Sequence, residues 1–358
     1  MIPMHGGDVY RFEAAGRVLD FSANINPLGM PESVRRAAQA GTDNAERYPD
    51  PHCRRLKAAI ARAEGVPEEW VIPGAGASDL LYRYAYALRP REALLTAPAF
   101  SEYEAALAAS GCRALRFHSL KPEEGFRLNE RILASVPSAG AVFLASPNNP
   151  TGGRIPPCLL RRILEACQGA EAHLLLDECF LDLTEEPERY TAVPYLSAFP
   201  RLFILKAFTK SYAMPGLRLG YGLCADAALL ERMKRSGPPW AVSTPAQEAG
   251  VQALEEKGYL ARSREYVRRE RRYLAEGLQK CGLRVFPGEA NYLLFRAPGL
   301  TDLHERLEAC GILLRSCGNY RGLEPDYYRA AVRTHEENEA FLQALGRLLP
   351  PERSGWYG

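Results

Sequence analysis

The middle of the chain alternates short, nearly continuous apolar runs with segments of helical pattern. Runs of this length and apolarity are typical of strands covered on both faces. They are "EALLTAP" (92–98), "AVFLASP" (141–147), "AHLLLDE" (172–178), "RLFILKAF" (201–208) and "LRLGYGLC" (217–224), and a helical segment such as 156–168 lies between several of them. We therefore predict an α/β fold around a mostly parallel sheet. The last two runs are too close for a helical crossover and should pair antiparallel.

The pattern changes after about residue 245. A long charged segment (246–281) predicts one helix, and "LRVFPGEANYLLFRAP", "GILLRSC" and "YYRAAVR" predict extended segments after it. "THEE", beginning at Thr334, resembles a capping box at the start of a last helix. We expect a smaller α+β domain over 246–358 and a large domain over 31–245. Residues 1–30 should form an arm that contributes to the small domain and the substrate pocket.

Composition excludes several classes of protein. A formal net charge of +2 over 358 residues does not favour nucleic acid or a membrane surface as a partner. No run approaches the roughly 20 apolar residues of a membrane span, and "MIPMHGGDVYRFE" lacks the pattern of a signal peptide. The nine cysteines form no C-x-x-C pair, and the six histidines show no metal-ligand spacing. We expect a cytoplasmic protein with reduced thiols and no metal site.

Polar residues stand at the ends of several predicted strands, where open α/β sheets bind ligands. "AVFLASP" continues into "NNPTGG", "AHLLLD" ends at Asp177, and "RLFILKAF" leads into Thr209 and Lys210. "WVIPGAGASDLL" joins a strand to a helix through a glycine-rich turn, whose N–H groups can cradle a phosphate. The third glycine of the dinucleotide fingerprint is missing. A phosphate cradle, an amide, a carboxylate and an amine in one crevice suit pyridoxal phosphate.

Three motifs make the chain similar to the aspartate-aminotransferase-like family of pyridoxal-phosphate enzymes. They are "SPNNPTG", "LLLDE" and "TKSYAMPGLRLGYG", and the resemblance extends over essentially the whole chain. It implies that family's fold. It also implies that Lys210 carries the cofactor covalently and that Asp177 pairs with the pyridine nitrogen, as the two catalytic residues. Asn149 should bond the ring oxygen, and Phe100 should stack on the ring. The residues expected at the cofactor phosphate are Gly76, Ala77, Ser78, Thr209 and Arg218.

Three further positions bear on the comparison with this family. Tyr48, in "RYPD", matches a tyrosine that reaches the phosphate from the other subunit, which implies a homodimer with shared sites. Phe180 stands where many aminotransferases have a tyrosine bonded to the ring oxygen, which leaves Asn149 as the main partner. Ala207 replaces a serine or threonine and removes one phosphate ligand. Neither replacement prevents cofactor binding.

The two ends of the chain are similar to two groups within the family, the threonine-phosphate decarboxylases and the histidinol-phosphate aminotransferases. "HGGDVY", "LDFSANINPLG" and "GILLRSCGNYRGLEPDYYRAAVR" resemble the first group more. The resemblance implies that Arg315 and Arg329 bind the phosphate of the substrate, because two guanidinium groups can grip a dianion. Each arginine could instead form a surface ion pair. His5, Asn24 and Asn149 are the other expected substrate contacts, and Tyr212, Trp240 and Tyr320 are unassigned candidates for the pocket wall.

The resulting hypothesis is a pyridoxal-phosphate-dependent decarboxylase that releases carbon dioxide from phosphothreonine, or from a close phosphorylated amino acid such as phosphoserine, as in cobalamin biosynthesis. A histidinol-phosphate-type aminotransferase is one alternative, and a binding protein that keeps the fold without turnover is another. Lys210, Asp177 and Asn149 are all retained, which disfavours the last. One methyl group changes binding by only about 1–3 kcal/mol, so the sequence does not choose among phosphothreonine, phosphoserine and related substrates.

Overall fold

The computed structural model describes residues 5–10, 12 and 18–349. Part of the predicted arm (1–4, 11 and 13–17) and the end of the predicted small domain (350–358) therefore lie outside the described residues. The division into an arm, a large domain and a small domain stays a prediction.

Short strands and α-helices follow one another along the described part of the chain. The strands are β1 (Leu19–Asp20), β2 (Val71–Gly74), β3 (Glu92–Ala97), β4 (Ala114–Ser119), β5 (Ala141–Ala145), β6 (His173–Asp177), β7 (Leu202–Ala207), β8 (Gly220–Leu223), β9 (Arg284–Val285), β10 (Tyr292–Arg296), β11 (Ile312–Leu313), β12 (Arg315–Ser316) and β13 (Tyr327–Ala331). The α-helices are α1 (Glu32–Thr42), α2 (Arg54–Glu64), α3 (Ala77–Leu88), α4 (Glu102–Ala109), α5 (Pro157–Gly169), α6 (Pro187–Tyr190), α7 (Phe208–Ser211), α8 (Ala227–Arg235), α9 (Thr244–Glu255), α10 (Tyr259–Lys280), α11 (Leu303–Glu308) and α12 (His335–Leu348).

A seven-stranded sheet forms the centre of the molecule. Its order is β2-β8-β7-β6-β5-β3-β4, and β8 alone runs against the other strands. The five apolar runs thus form the predicted strands, and the antiparallel pairing of the last two is confirmed. Parallel strands place their carboxyl ends at one edge, so Asp177, the loop after Ala145 and the turn after Ala207 meet there.

Alternate residues of each central strand pack into different cores, as expected for a sheet covered on both faces. In β5, Val142 and Leu144 belong to one buried cluster, while Phe143 belongs to the other. All three side chains are buried. A near-continuous apolar run is the pattern that this two-sided burial requires, which explains why these strands could be predicted.

The predicted helix over 246–281 is wrong in one respect, because the structure has two helices there. The chain leaves α9 at Glu256, where ψ is 91°, and α10 begins after Gly258, where φ is 73°. Glycine adopts this left-handed conformation without steric cost. The break allows the helices to diverge: α9 contacts α1 and α2, whereas α10 contacts α12 and β10.

The carboxyl-terminal part forms a separate antiparallel sheet, in the order β12-β13-β10-β9. Within it, Arg315 and Arg329 are direct partners on neighbouring strands. Cross-strand partners project from the same face of a sheet, so the spacing of fourteen residues brings the two guanidinium groups to one surface. The strand β1 pairs in parallel with β11, which attaches the segment before Phe21 to this part of the molecule.

None of the described helices combines the length and apolarity that a bilayer crossing needs. The described residues also contain no group of three or more histidine, cysteine, aspartate or glutamate side chains arranged to hold a metal ion.

The capping box of α12 gives a stability prediction. The Thr334 hydroxyl accepts the N–H of Glu337 at 3.3 Å, and the Glu337 carboxylate accepts the N–H of Thr334 at 3.4 Å. Thr334→Ala should lower the free energy of unfolding by about 1 kcal/mol, because the first-turn N–H loses its partner. Urea denaturation measures the loss. Thr42→Ala, which removes an exposed hydroxyl near the end of α1, is the control. Equal effects of the two substitutions would contradict the capping assignment.

Candidate active site

A cavity of about 380 Å³ lies at the edge where the central strands end. It also borders the face of the carboxyl-terminal sheet that carries the two arginines. Most of the site residues predicted from the sequence line it: His5, Asn24, Ala77, Ser78, Phe100, Asn149, Asp177, Thr209, Lys210, Arg218, Arg315 and Arg329. Gly76 adjoins the cavity through its contact with Arg218. Tyr48 is the predicted residue that does not line it.

Lys210 stands in α7, a short helix that directly follows β7. Burial lowers the pKa of its ammonium group to about 8, and the nearby positive charge of Arg329, with a smaller effect of Arg218, acts in the same direction. The negative charge of Asp177 opposes the shift. Its Nζ atom is 5.7 Å from the centroid of the Phe180 ring. An amine with this pKa is a better nucleophile near neutral pH than an ordinary lysine.

Lys206, the other lysine nearby, lies in a different environment. Its ammonium group is buried and contacts Glu64 at 2.8 Å and Asp182 at 3.3 Å. Although burial by itself lowers its pKa, these carboxylates outweigh that effect and raise the pKa well above the ordinary value. Lys206 therefore stays charged and paired, whereas the Lys210 amine loses its proton more easily.

Asp177, the last residue of β6, is held by two donors. The hydroxyl group of Tyr103 donates to Oδ2 at 2.7 Å, and the N–H of Cys179 donates to Oδ1 at 2.9 Å. Burial and the carboxylate of Asp177 both raise the pKa of Tyr103, so the phenol keeps its proton. These bonds fix the orientation of a carboxylate that lines the cavity. Tyr103 was missed in the sequence, where its place three residues after Phe100 was the only signal.

The glycine-rich turn and Arg218 form the candidate phosphate cradle. Gly76 has φ of +91°, and a side chain added to it would place its Cβ 2.7 Å from Nη2 of Arg218. Only glycine suits this position, because a Cβ would be both strained and in contact with the guanidinium group. Ala77 and Ser78 begin α3, where the N–H groups have no partner within the helix and an anion is favoured. Arg218 itself is exposed, so its charge is available to a ligand.

Arg329 is buried and bonds two separate parts of the chain. Nη1 donates to Oδ1 of Asn149 at 2.5 Å, and Nη2 donates to the carbonyl of Ser22 at 2.7 Å. With its amide oxygen facing the guanidinium group, Asn24 accepts from Nη1 at 3.3 Å and from Nε at 3.2 Å. Because the oxygen of Asn149 is already occupied, its amino group remains as a donor. Arg329 therefore touches a residue predicted to contact the cofactor as well as those predicted for the substrate.

Arg315 is also buried and has no carboxylate partner among the described residues. Nη1 donates to the carbonyl of Ser316 at 2.7 Å, and Nη2 donates to Oδ1 of Asn319 at 2.9 Å. Its guanidinium carbon is 5.2 Å from the centroid of the Tyr320 ring, which also lines the cavity. A surface ion pair was the alternative interpretation of the sequence. Both arginines are buried instead, and neither forms an ion pair with a described carboxylate. Uncompensated buried cations favour an anionic ligand in the space between them.

His5 lies at the cavity wall beside Phe100, with ring centroids 5.8 Å apart. Its Nε2 atom is 2.8 Å from Oε1 of Glu102, whose other oxygen accepts the hydroxyl of Tyr82 at 3.0 Å. Glu102 also lines the cavity and was missed in the sequence. The chain after His5 is attached through Gly7, whose N–H donates to the Ser22 hydroxyl at 2.8 Å.

The remaining aromatic candidates lie outside this cavity. Tyr48 is 80% exposed and stacks on Trp240, with ring centroids 4.7 Å apart. Tyr212 lines a second cavity of about 460 Å³ that contains Lys206.

The cavity fits pyridoxal phosphate. Gly76 adds no side chain to the cradle, and its backbone faces Arg218, which suits a phosphate. Asp177, Lys210, the amino group of Asn149 and the ring of Phe100 supply the carboxylate, amine, amide and aromatic face that the rest of the cofactor requires. Ala207 also lines the cavity but has no hydroxyl group. Thr209 therefore supplies the hydroxyl group that lines the cavity at this end of β7.

Comparison with known proteins agrees with this chemistry. The model of the family "Aminotransferase class I and II" matches residues 16–345. The chain is 41% identical to threonine-phosphate decarboxylase of Salmonella typhimurium over 96% of each chain. It is 33% identical to histidinol-phosphate aminotransferase 1 of Cupriavidus pinatubonensis, over 93% of this chain and 88% of the relative.

A solved structure supports the fold. The structure of histidinol-phosphate aminotransferase from Clostridium acetobutylicum superposes with a TM-score of 0.86 at 30% identity, over 92% of this chain and 99% of the other.

The shifted pKa of Lys210 gives a prediction for the cofactor-free protein. Its amine should become reactive as the pH rises through about 8, because the neutral form replaces the ammonium ion there. Labelling with an amine-reactive acylating reagent at a series of pH values, followed by peptide mapping, measures the midpoint. Lys206 should stay unlabelled over the same range. A midpoint near the ordinary lysine value of 10.5 would contradict the assignment.

Proposed function

The chain belongs to the family of class I and II aminotransferases, and within that family we propose that it is a pyridoxal-phosphate-dependent decarboxylase of phosphothreonine. One observation carries the choice of a phosphorylated substrate. Arg315 and Arg329 are buried cross-strand partners at the cavity, and neither has a carboxylate partner among the described residues. Such a pair suits the phosphate of a small substrate. The 41% identity to a threonine-phosphate decarboxylase agrees with this choice of substrate.

The residues expected at the cofactor keep the roles that the family resemblance implies. Lys210 would bond it covalently, Asp177 would pair with the pyridine nitrogen, and the amino group of Asn149 would donate to the ring oxygen. Phe100 would cover one face of the ring. The proposed phosphate ligands are Gly76, Ala77, Ser78, Thr209 and Arg218. When bound, pyridoxal phosphate supplies a ring that accepts the electron pair left at the substrate Cα.

The side chains of the protein orient the substrate and move the proton. With the substrate phosphate held by Arg315 and Arg329, the carboxylate need not serve as an anchor, and carbon dioxide can depart from Cα. The carbon that loses the carboxylate must then receive one proton. When it is not bonded to the cofactor, the Lys210 amine can hold that proton and release it to this carbon. His5 and Asn24 would complete the polar wall around the substrate.

An aminotransferase of the histidinol-phosphate type is the second candidate. Relatives with that name reach 33% identity, and their substrate would carry the same phosphate to the same arginines. Phe180 favours the decarboxylase, since it contributes no hydroxyl at a position where many aminotransferases have a tyrosine. It packs instead against Tyr292, with ring centroids 5.0 Å apart.

The assembly and the location of the protein belong to the same proposal. We propose a homodimer in which Tyr48 completes the cofactor site of the other subunit. The residue is 80% exposed and lies outside the cavity of its own chain, as this arrangement requires. A cytoplasmic location is part of the proposal.

Carbon dioxide release distinguishes the two reactions. The protein loaded with pyridoxal phosphate should release carbon dioxide from phosphothreonine without any keto acid, because decarboxylation needs no amino-group acceptor. Coupled assay of bicarbonate measures this release. Lys210→Ala should retain less than a thousandth of the turnover, since it removes both the covalent attachment and the proton donor. Turnover that requires 2-oxoglutarate and forms a keto product would assign the aminotransferase instead.

Substitution of Arg315 tests the substrate-phosphate site more directly than substitution of Arg329. Arg315→Ala should weaken phosphothreonine binding at least tenfold, because a hydrogen bond to a charged group contributes about 1.5–3 kcal/mol. The cofactor dissociation constant should not change. Arg329→Ala should weaken binding of both molecules, because Arg329 also holds Asn149.

Arg321→Ala is the matched control for these substitutions. Arg321 lies in the same segment but is exposed and paired with Glu104 at 3.0 Å. It should leave the binding of both molecules unchanged. Loss of the cofactor from Arg315→Ala, with normal phosphothreonine binding, would contradict the proposed phosphate site.

A further inference from the structure

Trp240 has two unusual features for a tryptophan. Its side chain is 44% exposed, and its backbone φ is +54°. The left-handed region is unfavourable for a bulky residue and persists only where surrounding structure imposes it. The described contacts of its ring include one stacked partner, Tyr48, at 4.7 Å between centroids and 29° between planes.

Tyr48 depends on this contact. Because its side chain is 80% exposed, few atoms of its own chain restrict its rotamer. A stacked ring pair stabilises one orientation of each ring over the alternatives. In the described structure, stacking on Trp240 thus determines the orientation of the Tyr48 ring.

The chain segment that leads into Trp240 packs on Arg83. A side chain added to Gly237 would place its Cβ 2.3 Å from Cζ of Arg83, so the chain before Trp240 lies directly on that guanidinium group. Arg83 is buried, and its Nε donates to Oδ1 of Asp79 at 2.8 Å. The other carboxylate oxygen of Asp79 accepts the N–H of Ala75 at 2.9 Å, in the turn of the candidate phosphate cradle.

Gln247 joins the two segments that carry the rings. From α9, its buried amino group donates to the carbonyl of Asp50 at 3.1 Å and to the carbonyl of Val242 at 2.9 Å. Asp50 lies two residues after Tyr48, and Val242 lies two residues after Trp240. The Gln247 amide therefore fixes the distance between the two segments. The stacking contact fixes the orientation of the two rings that these segments carry.

We propose that Trp240 is a positioning residue, which holds Tyr48 in the orientation that reaches the cofactor phosphate of the second subunit. The inference rests on the proposed homodimer with shared sites. It explains why a strained, partly exposed tryptophan lies beside an exposed tyrosine at a distance from the cavity of its own chain. Trp240 itself need not touch the cofactor, since it acts through Tyr48.

A double-mutant cycle on cofactor affinity tests the inference. Trp240→Ala should raise the cofactor dissociation constant of the full-length protein about three- to tenfold, which is the range for loss of one ring contact. Trp240→Phe should restore most of the affinity, because a phenyl ring can also stack. In a Tyr48→Ala background, Trp240→Ala should have no further effect. Absorbance titration of cofactor-free protein measures each constant, and sedimentation should find a dimer for every variant.

The control and the contradicting outcomes distinguish the positioning role of Trp240 from the proposed shared site on which it rests. Tyr195→Ala removes a ring contact with Phe199, at 6.2 Å between centroids, and should leave the affinity unchanged. A normal affinity for Trp240→Ala, additive effects in the double variant, or a monomeric Trp240→Ala would overturn the positioning role. A normal affinity for Tyr48→Ala would instead show that the shared-site proposal is wrong.

Discussion

The buried guanidinium group of Arg329 is the interaction on which the candidate active site depends. From β13 it binds the carbonyl of Ser22, the amide of Asn24 and the amide of Asn149. These groups come from distant parts of the sequence, so one side chain joins the carboxyl-terminal sheet, the segment after β1 and the loop after β5. A buried donor left without its partners is costly. Each of these parts is therefore held at the cavity by the same cation.

The charges around the cavity indicate its ligands. Among the residues that the structure describes, two carboxylates line it, Asp177 and Glu102, against the cations Lys210, Arg218, Arg315 and Arg329. Asp177 already accepts two hydrogen bonds, and Glu102 contacts His5 and Tyr82. Most of the positive charge is thus left for ligands. Arg218 lies beside the cradle at Gly76, whereas Arg315 and Arg329 approach from the other sheet. The arrangement suits two phosphate groups at separate places, one on the cofactor and one on the substrate.

The sequence predicted the central sheet well, because alternate residues of strands such as β5 are buried in two cores and leave a continuous apolar run. Polar residues at strand ends, such as Asp177, also predicted at which edge of the sheet the cavity lies. The break at Gly258 was missed, since the charged residues around it suit an exposed helix on either side. The contact of Arg329 with Asn149 could not be predicted from spacing, because it joins residues 180 positions apart. Roles assigned by resemblance still need measurement.

The central claim is that the substrate loses its carboxylate and gains one proton at the same carbon. Turnover of phosphothreonine in deuterium oxide, followed by mass spectrometry and proton NMR of the product, tests it directly. The account predicts 1-aminopropan-2-ol phosphate with one carbon-bound deuterium, on the carbon next to nitrogen. A keto acid as product, or recovered phosphothreonine that has exchanged its Cα hydrogen and kept its carboxylate, would contradict the account.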